Sequence, residues 1–552
     1  MITMEVIKKY FIFVFAFCLL LLSFLPNIYE ASVTGLLPQD RTMVWGEHNY
    51  TYDYNVYLSK IRQGQEGRST VVDKYDNHPR QKGAFLVMLY LLSGKVSSIF
   101  NFTPTLTYHL LRVVTSVIWI SMIIFLNIYF LKKMFLINLG VVLSFLTASF
   151  PVFYRFENQW WITFYMNWWQ ELDILKRISF IPHDTLNYIF ISVFTILLSQ
   201  TDKNKKYLYL LCLLLFISVF IQPSGAILFA ISWTLYYLIK YFLFKSLAND
   251  LISEKLKQTF VIFTTVFVPL LYIQSVTSTY PWKSLMDFHK NNLSVFDINI
   301  KDYILALGPI FFTGVAGGIL VIVKKEQKLL SLVTWIAGAA VALVLFKFFP
   351  YQSIRFIQTS NHIPLAILSV YLFYELWKRK KAYIKTIIII IFMAIIVNGL
   401  IQSYFSLKSQ IQFINQRARA TIPLVPYPPQ VMYPLTDFYN GLKWLEEKTD
   451  HSSIVLSKIT AGNYIPAYSG NFVYLGHIVE TPHYEDRAKK ADEFFSGSLE
   501  KEQALKFLET ENISYVFYGP QEKENSIKDI SVYPFLISVY QSHLVTIYRV
   551  KI

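Results

Sequence analysis

Residues 107–130 read TYHLLRVVTSVIWISMIIFLNIYF, an apolar run in which Arg112 is the one Lys, Arg, Asp or Glu. About 20 apolar residues in a helix cross the hydrocarbon core of a bilayer, so this run predicts a membrane-spanning helix. Similar runs are found along most of the chain. They cover residues 10–25, 135–154, 186–200, 207–222, 225–243, 259–277, 303–323, 329–349, 361–377 and 384–402.

The overall composition agrees with a membrane protein. Of the 552 residues, 54% are hydrophobic and 16% are charged, whereas soluble proteins average about 25% charged residues. This balance excludes an intrinsically disordered chain, and apolar runs of this length need a bilayer as solvent. The two cysteines, Cys18 and Cys212, lie in separate apolar runs and indicate neither a disulfide framework nor a zinc motif.

The positions of the basic residues predict the topology and the status of the ambiguous run 84–100, which Gly94 and Lys95 interrupt. If 84–100 does not span the membrane, every basic cluster lies on the side of the N-terminus, as the positive-inside rule expects of the cytoplasmic side. If it spans, Lys8 and Lys9 lie opposite all the others. The clusters are Lys8–Lys9, Lys132–Lys133, Lys203–Lys206, Lys245–Lys257, Lys324–Lys328 and Lys378–Lys381.

The first model predicts eleven spanning helices, with 84–100 lying along or dipping into the outer leaflet. The N-terminus is then cytoplasmic and the C-terminus extracytoplasmic. The first run lacks a small-residue cleavage site, so we expect a retained helix and not a signal peptide. Most of the basic residues behind the net charge of +15 then lie on the cytoplasmic side of the membrane, so no nucleic-acid partner is expected.

The chain beyond residue 402 is a different kind of sequence. After a transmembrane domain at 1–402, we expect a Pro-rich hinge at 403–434 and a small soluble α/β domain at 435–552. Strands are predicted at Ile454–Leu456, Phe472–Leu475, Tyr515–Tyr518 and Val545–Val550, and helices at Asp486–Phe495 and Lys501–Leu508. The predicted core residues are Phe494, Phe495, Leu505 and Leu508.

The first external loop, residues 28–106, carries the most informative pattern. From Asp53 to Gly67 it reads DYNVYLSKIRQGQEG, with an apolar stripe at helical spacing. The stripe consists of Tyr54, Tyr57, Leu58 and Ile61. It predicts a short amphipathic helix lying on the membrane surface. Asp53, at the N-terminal end, is either a simple N-cap or a carboxylate that carries chemistry at the membrane face.

The loop continues through Asp73 and Asp76-Asn77-His78-Pro79-Arg80 into 84–100. This layout resembles the GT-C membrane glycosyltransferases. It consists of an N-terminal helix, an external loop in which Asp53 begins the segment DYNVYLSKIRQGQEG, a His-Pro step into a juxtamembrane helix, and a series of spans. The protein O-mannosyltransferases, the aminoarabinose transferases and related bacterial membrane proteins are of this kind. The resemblance covers about residues 1–200 by pattern and the remainder by layout.

This resemblance implies a polytopic α-helical membrane protein that transfers a sugar from a polyprenyl-phosphate donor to a glycan, lipid or protein acceptor. The resemblance implies transfer at the outer face of the plasma membrane, in a bacterial cell envelope. In that family the first-loop Asp is the proposed catalytic base, or a metal ligand in the oligosaccharyltransferase branch, and Asp53 is the matching position. A carboxylate suits proton abstraction from an acceptor hydroxyl.

Other polar residues on the predicted outer side are candidates for substrate binding. They are Tyr57, His78, Arg177, His183, Asp184 and Arg355. Arg355 is the only charge in loop 350–360, and its fork would suit a leaving phosphate; a snorkelling interface Arg is the alternative. His183 and Asp184 either cap the next helix or join a polar site with Asp53 and His78.

Two further patterns keep alternative interpretations. The paired tryptophans Trp160–Trp161 and Trp168–Trp169 form either a membrane belt or a sugar-stacking surface. The segment Gly476–Pro482 reads GHIVETP after one predicted strand, and Tyr518–Glu522 follows another. Loops at the carboxyl ends of strands often bind ligands, so these segments are either structural turns or acceptor-recognition loops.

No cofactor is expected. Asp53, Asp76, His78, His183 and Asp184 offer metal ligands, but they follow no recognised metal spacing, so a divalent metal is not supported. Walker A, GxSxG and HExxH motifs are absent from the sequence. A lipid or polysaccharide transporter or flippase, an O-antigen polymerase or ligase, and a non-catalytic GT-C-fold protein are the alternatives. Predicted spans with almost no charge count against a proton-coupled transporter.

Overall fold

The computed structural model describes residues 4–47, 51, 53–78, 80–202, 204–245, 249–292, 297–349, 352–379, 381–419, 433–524 and 526–551. The chain forms two compact units. The helical unit comprises Met1–Pro26, Arg112–Tyr272 and Asn292–Gln410. The mixed unit comprises Asn27–Leu111, Ile273–Asn291 and Ile411–Ile552.

Helices make up most of the described residues. From the N-terminus they are α1 Met4–Ser32, α2 Tyr54–Gln65, α3 Met88–Ser98, α4 Pro104–Phe130, α5 Met134–Leu146, α6 Pro182–Leu198, α7 Lys206–Val219, α8 Pro223–Leu238, α9 Asn249–Val276 and α10 Lys283–Asn291. They continue with α11 Ile300–Leu307, α12 Pro309–Lys324, α13 Leu330–Leu345, α14 His362–Trp377, α15 Ala382–Ala418, α16 Thr436–Lys448, α17 Ile459–Tyr468, α18 Tyr484–Phe495, α19 Lys501–Thr510 and α20 Pro520–Lys523.

The chain is a multi-pass membrane protein. Among the described residues six helical segments are long and apolar enough to cross a bilayer, and the pair α11–α12, bent by 92°, makes a seventh when taken as one span. Three shorter apolar helices, α5, α7 and α14, accompany them. Each of the predicted apolar runs contains a helix, so the helix positions are confirmed. Eleven spans as a count stays a prediction.

One predicted run is too long. The run 135–154 was expected to be a single span, but α5 ends at Leu146 and strand β1 begins at Pro151. Thr147, at the end of α5, has an extended backbone with ψ 124°. Phe150 precedes proline, which disfavours helical geometry, so the apolar sequence continues as a strand.

Run 84–100 forms only a short helix. Helix α3 has 11 residues, which corresponds to a length of about 16 Å. Because the hydrocarbon core is about 30 Å thick, α3 is too short to span it. The position of this helix in the outer leaflet stays a prediction.

Strands β1 Pro151–Phe156 and β2 Gln159–Phe164 form an antiparallel hairpin in the helical unit.

Elsewhere in this unit close helix packing relies on small residues. A Cβ on Gly314 of α12 would lie 2.6 Å from the Leu365 side chain of α14, and one on Gly317 would lie 2.2 Å from the Leu368 carbonyl oxygen. Small residues allow helix backbones to approach closely in membranes, which explains why α12 and α14 pack side by side.

The mixed unit contains a five-stranded sheet of order β4-β3-β5-β7-β6. The strands are β3 Ile454–Leu456, β4 Phe472–Val473, β5 Ile513–Tyr518, β6 Leu536–Gln541 and β7 Thr546–Val550. Strands β4, β3 and β5 are parallel, whereas β7 is antiparallel to β5 and β6. The predicted strand and helix positions are thus confirmed, although β4 is shorter than the predicted strand Phe472–Leu475. Strand β6 and helices α16, α17 and α20 are additional elements. Phe494, Phe495 and Leu508 are fully buried in the core, with Leu505 packed against it.

The first loop belongs to this unit and touches its sheet. Val473 N of the edge strand β4 donates a hydrogen bond of 2.9 Å to the Lys74 carbonyl oxygen. Val56 and Tyr75 share a buried cluster with Phe438 and Val473. The structure therefore groups the chain differently from the predicted domains, because part of the first loop packs with residues 435–552.

The predicted hinge at 403–434 begins as helix. Helix α15 runs without a break from Ala382 to Ala418, because residues 403–418 contain neither proline nor glycine. Within the mixed unit Arg417 near its end stacks on Tyr433 and lies 3.5 Å from the buried Glu30 carboxylate. The Pro-rich positions from Pro423 to Pro429 lie outside the described residues.

Candidate active site

Helix α2 was predicted to lie on the membrane surface, but ten of its twelve residues are buried. Its polar side is covered by the C-terminal part of the chain. Asn55 Nδ2 donates to Asn463 Oδ1 at 2.6 Å, and Lys60 Nζ lies 3.2 Å from Glu480 Oε1. The polar side of α2 therefore contacts another part of the same unit. The position of this helix at the membrane surface stays a prediction.

Asp53 directly precedes α2, but its side chain does not cap the helix. The residue occupies the N-cap position without a side-chain capping hydrogen bond. Instead Tyr57 Oη donates to Asp53 Oδ2 at 3.4 Å, and His477 Nε2 lies 3.3 Å from Asp53 Oδ1. The Asp53 side chain is 26% exposed, whereas that of His477 is only 2% exposed. The carboxylate thus contacts buried groups and is partly exposed.

The His477 ring is oriented by its own loop. Its Nδ1 accepts hydrogen bonds from Val479 N at 3.2 Å and Glu480 N at 3.3 Å. Thr481 Oγ1 accepts from the backbone N of Gly476 and of His477. Because Nδ1 is an acceptor, the single proton of the neutral ring lies on Nε2, facing Asp53. The approach of His477 Nε2 to Asp53 Oδ1 is close but lacks the full geometry of a hydrogen bond.

Four tyrosine rings pack together next to Asp53, and we call this cluster the tyrosine wall. Tyr57 stacks on Tyr90 with ring centroids 4.5 Å apart, and both stack near Tyr108. Tyr54 packs edge-on against Tyr108 at 5.0 Å. All four side chains are buried. Tyr57 was predicted to bind substrate; in the structure its ring is part of this wall and its hydroxyl contacts Asp53.

A buried group of charges extends from the same loop. Asp73 is fully enclosed, and burial together with the negative charges of Glu480 and Asp76 raises the pKa of its carboxyl well above the usual range. Asp73 Oδ1 accepts from Tyr75 N at 2.8 Å, and its Oδ2 is buried without a hydrogen-bond partner among the described residues. Burial and nearby negative charge both disfavour the ionised form of such a carboxyl.

His78, another predicted binding residue, contacts a different carboxylate. Its Nδ1 lies 3.1 Å from Asp76 Oδ2, and its side chain is 69% exposed. Asp76 is in turn bound by Arg487 at 2.8 Å. His78 thus lies on the surface of the mixed unit beside a structural ion pair.

The remaining predicted site residues belong to the helical unit. Arg177 is buried and donates to the carbonyl oxygens of Phe145 and Thr147, so it holds the end of α5. Asp184 Oδ1 accepts from Gln222 Nε2 at 3.1 Å, and His183 Nε2 lies 3.9 Å from the same oxygen. The cap interpretation of Asp184 is wrong, because α6 begins at Pro182 and Ile181 is its N-cap residue.

Arg355 and Glu171 contribute further polar groups to the helical unit. Arg355 lies in a 3-10 turn, is half-buried and donates to Gln358 Oε1 at 3.2 Å. Glu171, which the sequence did not single out as a site residue, is buried and accepts from Ser360 N at 2.7 Å. Burial raises the pKa of Glu171 well above its usual range. In the part of the chain that the structure describes, no group of three or more His, Cys, Asp or Glu side chains is placed to hold a metal ion.

Sequence reasoning named the His477 segment but did not connect it with Asp53. The available signal was GHIVETP at the carboxyl end of a predicted strand, which left structural turn and ligand loop as alternatives. The structure places Asp53 and His477 side by side in one unit, although 424 positions separate them in the sequence.

Known proteins share this fold at low sequence identity. No protein-family model and no curated protein matches the sequence. The archaeal oligosaccharyltransferase AglB from Archaeoglobus fulgidus, in complex with an inhibitory peptide and a dolichol-phosphate, matches with a TM-score of 0.52 and 13% identity. The match covers 92% of this chain and 69% of that one. ArnT from Cupriavidus metallidurans bound to undecaprenyl phosphate matches with a TM-score of 0.50 and 10% identity, over 95% of this chain and 97% of that one. Both structures belong to the GT-C superfamily of membrane glycosyltransferases, and this chain has the GT-C fold.

Proposed function

We propose that this protein is a membrane glycosyltransferase that transfers a sugar from a polyprenyl-phosphate donor to a hydroxyl of a glycan, lipid or protein acceptor. Asp53 acts as the general base. The observation that carries this proposal is the Asp53 carboxylate itself, which caps no helix and contacts Tyr57 and His477 while one quarter of it is exposed. The fold supports it, since structures of this fold contain dolichol-phosphate and undecaprenyl phosphate.

The chemistry needs one base and one stabilised leaving group. As the acceptor oxygen forms a bond to the anomeric carbon, its proton passes to Asp53. The bond between the anomeric carbon and the phosphate oxygen breaks, and its electron pair leaves with the polyprenyl phosphate. The growing negative charge calls for cationic donors. A guanidinium suits this role, because it grips two phosphate oxygens at once.

The proposed location is the outer face of a bacterial plasma membrane. The basic clusters along the chain support a cytoplasmic N-terminus by the positive-inside rule. With an odd number of spans, the first loop and residues 435–552 are extracytoplasmic. A lipid-linked donor keeps its tail in the bilayer, so a reactive carboxylate close to the membrane surface suits such a substrate.

The test uses the full chain in native membrane vesicles, which supply acceptor hydroxyls, with a panel of synthetic undecaprenyl-phosphate hexoses and pentoses. Release of undecaprenyl phosphate is measured by mass spectrometry. Asp53→Asn keeps the size of the side chain and removes its basicity, so we expect loss of at least 100-fold in rate. Asp40→Asn is the matched control, because Asp40 is an exposed Asp of the same unit.

Three outcomes would contradict the proposal. Full activity of Asp53→Asn would exclude Asp53 as the base. Release from none of the donors by the wild type, with undecaprenyl phosphate still bound, would favour a non-catalytic GT-C-fold protein. Movement of the intact donor across the vesicle membrane without sugar release would favour a flippase.

A further inference from the structure

We propose that His477, in the loop after β4, is a positioning residue that fixes the orientation of the Asp53 carboxylate, so that the C-terminal part of the chain completes the active site. The proposal rests on Asp53 being the base. It assigns a role to the GHIVETP segment, which fold and composition leave open.

The loop after β4 sets the direction of the His477 ring. Two backbone N–H groups, from Val479 and Glu480, point at Nδ1. A nitrogen that accepts two hydrogen bonds carries no proton, so the proton of the neutral ring is on Nε2. This atom is buried and lies 3.3 Å from Asp53 Oδ1, without the full geometry of a hydrogen bond. In the proposed arrangement His477 donates to the carboxylate. It does not take the acceptor's proton, which stays with Asp53.

His477 and Asp53 differ in how far they are buried. His477 is almost completely enclosed, with the Tyr75 ring tilted against it at 5.7 Å between centroids. Asp53 is partly open. A donor on the closed side restricts rotation of the carboxylate, and the open side is left for the acceptor hydroxyl. Such restriction matters because misplacement of a reacting group by about 1 Å costs about 100-fold in rate.

A buried ion pair holds this loop against helix α2. Lys60 of α2 pairs with Glu480 of the same loop at 3.2 Å, and both side chains are buried. Asp53 and Lys60 lie two helical turns apart on one side of α2, and they contact His477 and Glu480 respectively. Two contacts fix both the position and the direction of the loop against the helix.

Replacing His477 by two different amides separates positioning from folding. In His477→Asn the side-chain oxygen reaches the position of Nδ1 and can accept from Val479 N, but no donor reaches Asp53. In His477→Gln the amide nitrogen reaches the position of Nε2 and can donate to Asp53. The matched control is His543→Asn, since His543 lies exposed in the turn between β6 and β7.

With the donor panel above, we expect kcat of His477→Asn to fall about 100-fold with little change in KM for the donor. His477→Gln should recover a large part of that loss. In the Asp53→Asn background His477→Asn should cause no further loss, because both residues act through one carboxylate.

Equal activity of His477→Asn and wild type would overturn the proposal and leave the role of Asp53 intact. Equal loss in both amide variants, with a matching fall in Tm, would also overturn it, because that is the signature of a structural role. A wild type without transferase activity would remove the proposed function and this inference together.

Discussion

Lys60 Nζ lies 3.2 Å from Glu480 Oε1, and the two side chains are only 7% and 9% exposed. This buried ion pair joins helix α2 of the first loop to the loop that follows β4. Removing one partner of a buried pair leaves the other charge uncompensated, which typically costs about 3 kcal/mol or more. We expect Lys60→Met to lower the Tm of the detergent-solubilised protein clearly.

The double variant Lys60→Met with Glu480→Gln is the control for this prediction. It removes both charges, so its Tm should lie well above the value expected from adding the two single effects. Additive effects would show that the two side chains do not interact in the folded protein.

The buried carboxyl of Asp73 predicts a pH dependence of stability. Its pKa is raised by burial and by Glu480 and Asp76, so the folded state binds this proton more tightly than the unfolded chain. The stabilisation is fully present below the ordinary carboxyl pKa and is lost as the pH rises through the raised value. Asp73→Asn removes this titration, and we expect its Tm to fall less than that of the wild type between pH 5 and pH 9.

Asp40→Asn serves as the comparison, because it removes an exposed carboxyl of the same unit. Its dependence of Tm on pH should follow the wild type. If Asp73→Asn also follows the wild type, the pKa of Asp73 is not raised in the folded protein.

The crossing of α2 and α3 depends on two glycines. A Cβ on Gly64 would lie 2.0 Å from the Leu91 carbonyl oxygen, and one on Gly94 would lie 2.0 Å from the Ile61 carbonyl oxygen. Both obstacles are backbone atoms, so neither can move aside as a flexible side chain can. We expect Gly64→Ala to reduce the yield of folded protein strongly in size-exclusion chromatography.

Gly35→Ala is the matched change, since nothing lies within 4 Å of a Cβ at that position. Its yield should equal that of the wild type. A Gly64→Ala protein with normal yield and Tm would mean that the two helices do not cross this closely.

The hairpin β1–β2 carries exposed aromatic rings on both faces. Trp160 is 74% exposed, and Trp161 and Phe153 are also exposed. Tryptophan rings favour the membrane interface, so we expect brominated lipids to quench part of the Trp fluorescence. The quenched part should shrink in the variant with Trp160→Phe and Trp161→Phe. Quenching that does not change in this variant would favour the sugar-stacking interpretation of these residues.

The topology is testable with single cysteines in a chain that has Cys18→Ala and Cys212→Ala. Lys132 follows α4 and Lys501 begins α19, and both side chains are exposed. With a cytoplasmic N-terminus, an impermeant maleimide applied to intact cells should label Lys501→Cys and not Lys132→Cys. The reverse pattern would invert the proposed orientation.

Apolar runs and strand patterns predicted much of the fold. The eleven runs contain helices, and Ile454–Leu456 is a strand with the predicted ends, because burial in lipid or in a sheet imposes a composition that a local window detects. The end of α5 at Leu146 was missed, since an apolar strand and an apolar helix look alike in a short window.

The contacts of the candidate site were less predictable. Asp53 was identified through its place in a family pattern, whereas its partner His477 comes from the opposite end of the sequence. Helix α2 illustrates the same limit: its amphipathic pattern is correct, but the pattern alone does not tell whether lipid, water or another part of the chain covers the polar side. Here Asn463 and Glu480 cover it.

The hydrogen bond from Val473 to Lys74 has a practical consequence for work with fragments. An edge strand with free N–H and C=O groups readily pairs with another chain and promotes aggregation. In the whole protein the first loop occupies part of the open side of β4 and covers apolar residues beneath it. A fragment that contains only residues 435–552 would expose that edge together with the apolar surface that Val56 and Tyr75 cover, so it should self-associate, however soluble its composition looks.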